Sequence, residues 1–385
     1  MRLPVYMDNH ATTPVDPRVL EAMLPFMREE FGNAASSSHV YGWHAKEAVT
    51  KAREQLGALA GVKAEEIIFT SGATESNNLA LLGVAFDQNT KRKGIITQAT
   101  EHSAVLDTCE FLAKRGFDIT VLPVNRYGLV EPEILQEAVN ENTALVSIMH
   151  GNNEIGTIHD IKTLAGIAHG VGALFHSDVV QTFGKIPLDL VAMDVDLASL
   201  TAHKMYGPKG IGAFYMRKSN EVHLAPILHG GGQERGCRSG TLNVPGIVAF
   251  GAAAELAQGE FASGHLDDLR ALRDKLWQGL QENIDGLHLN GHPEARVPGN
   301  LNIRIDGVDA PALMLSMQNV AVSGGSACDS HDNAPSHVLT AIGCSPEEAQ
   351  ASVRFGVGRF NTEEEIDFVL SEFCREVKKQ KNSLL

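Results

Sequence analysis

Phe175-His176-Ser177-Asp178-Val179-Val180-Gln181 is an apolar run that ends in an acid, with an amide three residues on. Ser199-Leu200-Thr201-Ala202-His203-Lys204 is a second such run, ending in His-Lys, and Leu197-Ala198-Ser199-Leu200 reads as buried. Working outward, short apolar runs recur at 67–70, 94–97, 120–122, 145–149, 173–177, 196–200 and 211–215, most of them separated by helix-length amphipathic stretches. That alternation predicts an α/β fold with a mainly parallel sheet covered by helices on both faces. Ligands of such sheets sit at the carboxyl ends of the strands. The residues just after each run are therefore the ones to read for chemistry.

The flanks read differently. Asp16-Pro17 predicts an N-cap followed by proline at the first helical position. Leu20, Met23, Leu24 and Met27 then keep helical spacing, with Pro25 expected to kink or shorten the helix. Beyond 260, Leu266, Leu269, Leu272, Leu276 and Leu280 predict a long helix. Short strands are expected at 287–289, 301–305, 320–323 and 353–357. A Thr362–Glu365 capping box opens a terminal helix with Ile366, Val369, Leu370, Phe373 and Val377 as its stripe. The division expected is a large unit over 16–259 and a smaller α+β unit over 260–385, completed by an N-terminal strand in 1–15.

Composition narrows the function. The chain has 385 residues, 43% hydrophobic and 21% charged, with a formal charge of −15. A chain of this length buries a large core without staples, and its composition excludes disorder. The acidic balance argues against broad nucleic-acid binding. No secretory or membrane-spanning segment is expected, because Asp8 interrupts the start and the longest uncharged run, 310–328, holds Pro311 and Gly324-Gly325. Five scattered cysteines without a C-x-x-C pair indicate neither a disulfide framework nor a zinc site, and a reducing cytoplasm is the expected setting. Sixteen histidines without H-E-x-x-H spacing do not make a metalloenzyme.

Taken alone, Asp178 reads as a helix cap and Lys204 as a surface lysine. Together, on the ends of two strands, they suit pyridoxal phosphate: the amine forms the Schiff base, and the carboxylate keeps the pyridine nitrogen protonated. Ile67-Ile68-Phe69-Thr70 running into Ser71-Gly72-Ala73-Thr74-Glu75 is a strand, a small-residue turn and a helix start, which is an anion site or simply a helix start. Gly207-Pro208-Lys209-Gly210-Ile211-Gly212 precedes a strand instead of following one, so it is not a dinucleotide fingerprint.

The chain resembles the cysteine desulfurases of the NifS/IscS-like group, in the class V aminotransferase family with the type I pyridoxal phosphate fold. The resemblance runs nearly end to end. It is carried by Asp8-Asn9-His10-Ala11-Thr12-Thr13-Pro14, Thr70-Ser71-Gly72-Ala73-Thr74-Glu75-Ser76, Thr100-Glu101-His102, Asn152-Asn153-Glu154-Ile155-Gly156, His203-Lys204, residues 230–241, Gly325-Ser326-Ala327-Cys328 and Arg354-Phe355.

The resemblance implies a role for each matching position. Lys204 carries pyridoxal 5'-phosphate and shuttles a proton, and Asp178 pairs with the pyridinium nitrogen. Gln181 and Asn153 address the ring hydroxyl and its surroundings, and His102 stacks on the ring; a helix-start histidine is its plain alternative. Ala73, Thr74, Thr201 and His203 hold the phosphate, and Thr241 reaches the phosphate of a second subunit in a homodimer. Arg354 and Asn153 bind the substrate, with a structural ion pair as the plain alternative for Arg354.

Cys328 lies in a stretch of loop composition, 323–335, that suits a mobile thiol. The implied reaction converts L-cysteine to L-alanine and leaves the sulfur on Cys328 as a persulfide. An acceptor protein then takes it for iron–sulfur assembly, thio-cofactor synthesis or tRNA thiolation. No metal is expected, beyond Cys328 as a transient iron–sulfur ligand. A selenocysteine lyase or another class V enzyme, and a partner-binding platform, are the competing readings. His10, Thr201 and residues 331–334 depart from the usual pattern, and the chain ends at Leu385 soon after Lys378-Lys379-Gln380-Lys381; these tail and loop differences bear on the acceptor more than on the chemistry.

Overall fold

The computed structural model describes residues 2–89, 91–219, 222–324 and 335–383. In chain order the elements are β1 (Val5–Tyr6), α1 (Pro17–Arg28), α2 (Val40–Ala60), β2 (Ile67–Thr70), α3 (Ala73–Ala85), β3 (Gly94–Gln98), α4 (Ser103–Ala113), β4 (Asp118–Leu122), α5 (Pro132–Ala138), β5 (Thr143–Ser147), α6 (Ile161–His169), β6 (Leu174–Asp178), β7 (Leu197–Thr201) and β8 (Gly212–Met216). There follow α7 (Val244–Ser263), α8 (His265–Asn283), β9 (Leu287–Leu289), β10 (Asn300–Ile305), α9 (Ala310–Ser316), β11 (Val320–Ala321), α10 (His337–Ala341), α11 (Pro346–Gln350), β12 (Ser352–Gly356) and α12 (Glu363–Ser383).

Seven strands form one sheet in the order β2-β8-β7-β6-β5-β3-β4, in which β8 alone runs against its neighbours. The inner strands are apolar on both faces because helices cover both. Every residue of the inner strands β5 and β7 is buried, as is every residue of the edge strand β2, whereas the opposite edge strand β4 leaves three of its five residues exposed. One apolar cluster packs α1, α2, α6 and α7 on one face through residues such as Leu56, Leu164 and Phe250. A second packs α3 and α4 on the other through Leu79, Leu81 and Leu112.

A separate cluster joins Val5 and Met7 to Leu276, Ile303, Phe355 and Phe373. It lies around the sheet β12-β10-β9 and the parallel pair β1-β11. Ser323 and Arg354 bridge these two small sheets, with Arg354 N–H donating to Ser323 O at 2.7 Å.

Most boundaries fall within two residues of expectation. Asp16 caps α1 by accepting from Arg18 N–H, and Thr362 and Glu365 exchange the expected capping bonds. Pro25 does not shorten α1, which continues to Arg28. A proline in the last turn removes one helical bond, and α1 is held by its packing on α7. The strand expected at 320–323 is paired only at Val320–Ala321. No helix among the described residues is long and apolar enough to cross a membrane.

Candidate active site

A cavity of about 370 Å³ opens at the carboxyl ends of β2, β6 and β7. After β2, the turn at Ser71-Gly72 leads into α3, whose start carries no side-chain cap. Its first amides and the helix dipole are thus available to an anion, and Ala73 and Thr74 line the cavity there. The turn is built for close approach. A Cβ on Gly212 would stand 2.6 Å from Gly72 Cα, so β8 passes directly against the turn only because residue 212 is glycine.

Glu75 fixes the turn. It accepts from Ser71 N–H at 2.8 Å and from Arg238 Nε at 2.7 Å. Burial pushes its carboxyl up, and the bonds from Arg238 and Ser71 outweigh that and hold it below the usual range. The glycine-rich segment 230–241 is thereby tied to the anion turn.

Asp178 ends β6 and is buried, 5% exposed. Its Oδ2 accepts from Asn77 Nδ2 at 2.8 Å and its Oδ1 from Val180 N–H at 3.0 Å. Among the described residues no cation pairs with it. A buried carboxylate held only by neutral donors at a cavity wall suits a cationic ligand group.

Lys204 lies three residues past β7. Its Nζ donates to His10 O at 2.5 Å and Ala11 O at 2.6 Å. The strap 8–13 is laced to the same turn: Thr13 N–H donates to His203 O, and His203 Nδ1 meets Thr12 Oγ1 at 3.1 Å. Burial, with Lys204, Lys209 and Lys185 nearby, pushes His203 down to about 4, so it is neutral at pH 7.

Gln181 Oε1 takes two donors, His10 Nδ1 at 3.0 Å and Lys185 Nζ at 2.9 Å, while its Nε2 donates to His10 O. Burial and the cations Lys185 and Arg354 hold His10 well below the usual histidine range. Its ring is therefore neutral, with the proton on Nδ1. Lys204, Lys209 and Arg354 line the cavity, and cations gathered at one cavity of an acidic chain favour anionic ligands.

His102 is the N-cap of α4, its Nδ1 accepting from Ala104 N–H at 3.0 Å. The plain reading and the functional one thus coexist: the cap fixes the ring and puts its proton on Nε2. Glu101, beneath it, is fully buried and accepts from Met149 N–H and Gln98 Nε2. Burial raises its carboxyl to about 8. Arg354 donates through Nη2 to Asp8 Oδ1 and through Nη1 to Asn153 O, each at 2.8 Å. The ion pair with Asp8 is real, and the guanidinium also lines the cavity.

The expected residues Ala73, Thr74, His102, Asn153, Asp178, Gln181, Thr201, His203, Lys204 and Arg354 all line this one cavity. Thr241 does not. It lies in a surface cavity with Phe26, Met27, Phe31 and Leu242. Cys328 and most of the loop 323–335 lie outside the described residues. Glu75 and His337 were not singled out from sequence as site residues, and both line the cavity. A glutamate four residues after Ser71 could have flagged the first; nothing local flags the second. No cluster of three metal-ligating side chains occurs among the described residues.

The profile of the class-V aminotransferases matches residues 5–369. Cysteine desulfurase IscS of Anaeromyxobacter dehalogenans (strain 2CP-C) is 52% identical over 379 residues, covering 98% of this chain and 94% of that one. A solved NifS-like protein superposes with a TM-score of 0.90 at 41% identity, covering 98% of this chain and 100% of the other. SspA, solved in complex with cysteine, gives 0.82 at 37% identity, covering 93% and 99%.

Proposed function

The chain belongs to the class-V aminotransferase family, and from that premise we propose the working of its cavity as a pyridoxal phosphate-dependent cysteine desulfurase, which takes sulfur from L-cysteine and leaves L-alanine. The observation that carries this reading is that Asp178 and Lys204 line one cavity together with an uncapped helix start. The residues fit the cofactor: Ala73, Thr74, Thr201 and His203 would hold its phosphate, Asp178 its ring nitrogen, Gln181 its ring oxygen and Lys204 its aldehyde carbon. Bound there, pyridoxal phosphate supplies an electron sink for the pair released when a bond of the amino acid breaks.

The chain supplies the rest. Arg354, pre-oriented by Asp8 and Asn153 O, binds the substrate carboxylate by charge-assisted hydrogen bonds. Lys204 Nζ, once displaced by the substrate amine, moves the α-proton. His102, held by its cap, presents a ring face and an Nε2 proton. The Cys328 thiolate attacks the substrate sulfur; the new S–S bond forms as the C–S bond breaks, and its pair remains on the carbon that becomes the alanine methyl.

Cys328 is assigned from its sequence setting. The other thiols support it by their inertness: burial raises Cys109 to about 12 and pushes Cys237, Cys344 and Cys374 above the usual thiol range. Cys328→Ala should form at least a hundredfold less sulfide while still changing the visible spectrum with cysteine. Undiminished sulfide release would sink the assignment.

The working unit in this reading is a homodimer. Exposed Met27 and Phe31 line a surface cavity with Thr241, and exposed Tyr41 stacks on Phe31, which makes an apolar patch there. Covering it with a second copy would bring Thr241 toward the partner's phosphate site. Residues 16–259 and 1–15 with 260–385, each with its own apolar clusters, are taken as the two units of each subunit. An iron–sulfur scaffold is the acceptor we favour and the cytoplasm the setting, the latter in keeping with free thiols at all four described cysteines. A fully active monomer in ultracentrifugation would refute the dimer.

A further inference from the structure

His337 opens α10, directly after Ser336, and is held from three sides. Ser336 Oγ donates to Glu154 Oε2 at 2.6 Å. His337 Nε2 meets Glu101 O at 2.9 Å. Val338 and Leu339 pack on Ile155. The imidazole is half-buried and lines the same cavity as Lys204, Asp178 and Arg354.

A carbonyl oxygen only accepts, so His337 Nε2 carries the proton. In the neutral ring Nδ1 is then a lone pair, and no bond to it occurs among the described residues. His102 is the mirror case: its Nδ1 accepts from Ala104 N–H, which places its proton on Nε2. Protonating His102 at Nδ1 would break a helix cap. Protonating His337 at Nδ1 breaks nothing, because Nε2–H stays on Glu101 O in both forms. Of these two cavity histidines, His102 is thus built to donate and His337 to accept.

We propose that His337 is the base that takes a proton from the α-ammonium group of incoming cysteine, an assignment that rests on the desulfurase reading. The substrate N–H bond breaks, its electron pair stays on nitrogen, and the proton forms Nδ1–H of an imidazolium. The free amine can then attack. Placement favours this proton. Arg354, which would grip the carboxylate, is bonded to Asn153 O, and Ser336 is bonded to the adjacent Glu154, so the clamp and the base hang from neighbouring residues. The α-nitrogen is separated from that carboxylate by one carbon. The charged or titratable groups that share its cavity are His10, Glu75, His102, Glu154, Asp178, His203, Lys204, Lys209 and Arg354, with Glu101 bonded to it through its carbonyl.

His337→Gln separates the two roles, since its amide keeps an N–H for Glu101 O and loses the basic lone pair. The readout is the rate of the cysteine-induced change in the visible spectrum, followed by stopped flow from pH 6 to pH 10. That rate should fall about a hundredfold at pH 7 in His337→Gln. Its pH profile should lose the imidazole limb and follow the ionisation of cysteine itself, meeting wild type near pH 10. Added imidazole should restore the rate of His337→Ala in proportion to its concentration. A wild-type rate in His337→Gln, or a slower rate with an unchanged profile and no imidazole rescue, overturns the proposal. Alanine is assayed alongside: none from wild type defeats the desulfurase reading itself, whereas alanine from wild type with an unaffected variant defeats only the role of His337.

Discussion

The two ends of the central sheet both open into cavities, and Asp178 at one end is held in the opposite way to Asp194 and Asp196 at the other. At the amino end, His169 meets Asp194 at 3.0 Å and Asp196 at 2.8 Å, and Arg217 meets Asp194 at 2.8 Å and Asp196 at 3.4 Å. Asp194 and Asp196 are each answered by cations of the chain. At the carboxyl end, Asp178 is held by an amide and a backbone N–H, and Lys204 donates to backbone carbonyls. Asp178 is thus oriented by neutral donors, with no cation paired to it among the described residues. The amino-end cavity is the larger, about 520 Å³ against about 370 Å³, so volume does not mark the functional end. A network closed on itself stabilises; a carboxylate fixed by neutral donors at a cavity wall, as Asp178 is, is left for a ligand.

The sharpest break of that contrast is Lys204→Ala. Turnover should fall by roughly a thousandfold or more, with the thermal midpoint little changed, as steady-state kinetics and calorimetry on the same sample would show. Arg354→Lys comes next. Losing the planar fork should cost about 2 kcal/mol of transition-state binding, roughly 30-fold in kcat/KM. An unaltered KM and kcat would mean that the arginine serves only its pair with Asp8.

Glu101→Gln tests the carboxyl end through pH. The folded carboxyl is raised to about 8, first by burial. The native state therefore holds a proton that the unfolded chain releases near pH 4.3, and stability should fall as pH rises from there to about 8. The amide has no charge to bury, so that slope should vanish in the variant, as read by urea unfolding at several pH values.

His169→Gln is the smallest effect and lies at the other end. Asp196 raises the His169 pKa chiefly through its hydrogen bond, against burial, with Asp194 adding. The contribution is fully present below about 6.5 and lost as pH rises through the raised value. The variant should lose up to about 1 kcal/mol at low pH, less at high pH, and keep its kcat. A drop in kcat would remove the contrast between the two ends.

What the sequence made legible was what is local. The strands of the large sheet announce themselves because burial on both faces demands runs such as Ile67-Ile68-Phe69 and Leu145-Val146. Asp178 and Lys204 follow because parallel strands put their carboxyl ends on one side. The bonds that fix the cavity join distant segments and leave no local mark: Glu75 to Arg238, Gln181 to His10, and His337 to Glu101. His102 looked ambiguous because one ring nitrogen caps a helix while the ring lines the cavity. Pro25 misled because helix-to-helix packing is invisible in a single segment.

The central claim is most directly tested by mass spectrometry of the Cys328 peptide after one turnover. The protein, loaded with pyridoxal phosphate, is mixed with one equivalent of L-cysteine in the absence of reductant and acceptor. The account predicts one added sulfur atom on Cys328, one alanine per sulfur, and no such adduct in Lys204→Ala. Alanine formed with Cys328 unmodified and the sulfur carried by another cysteine would contradict it.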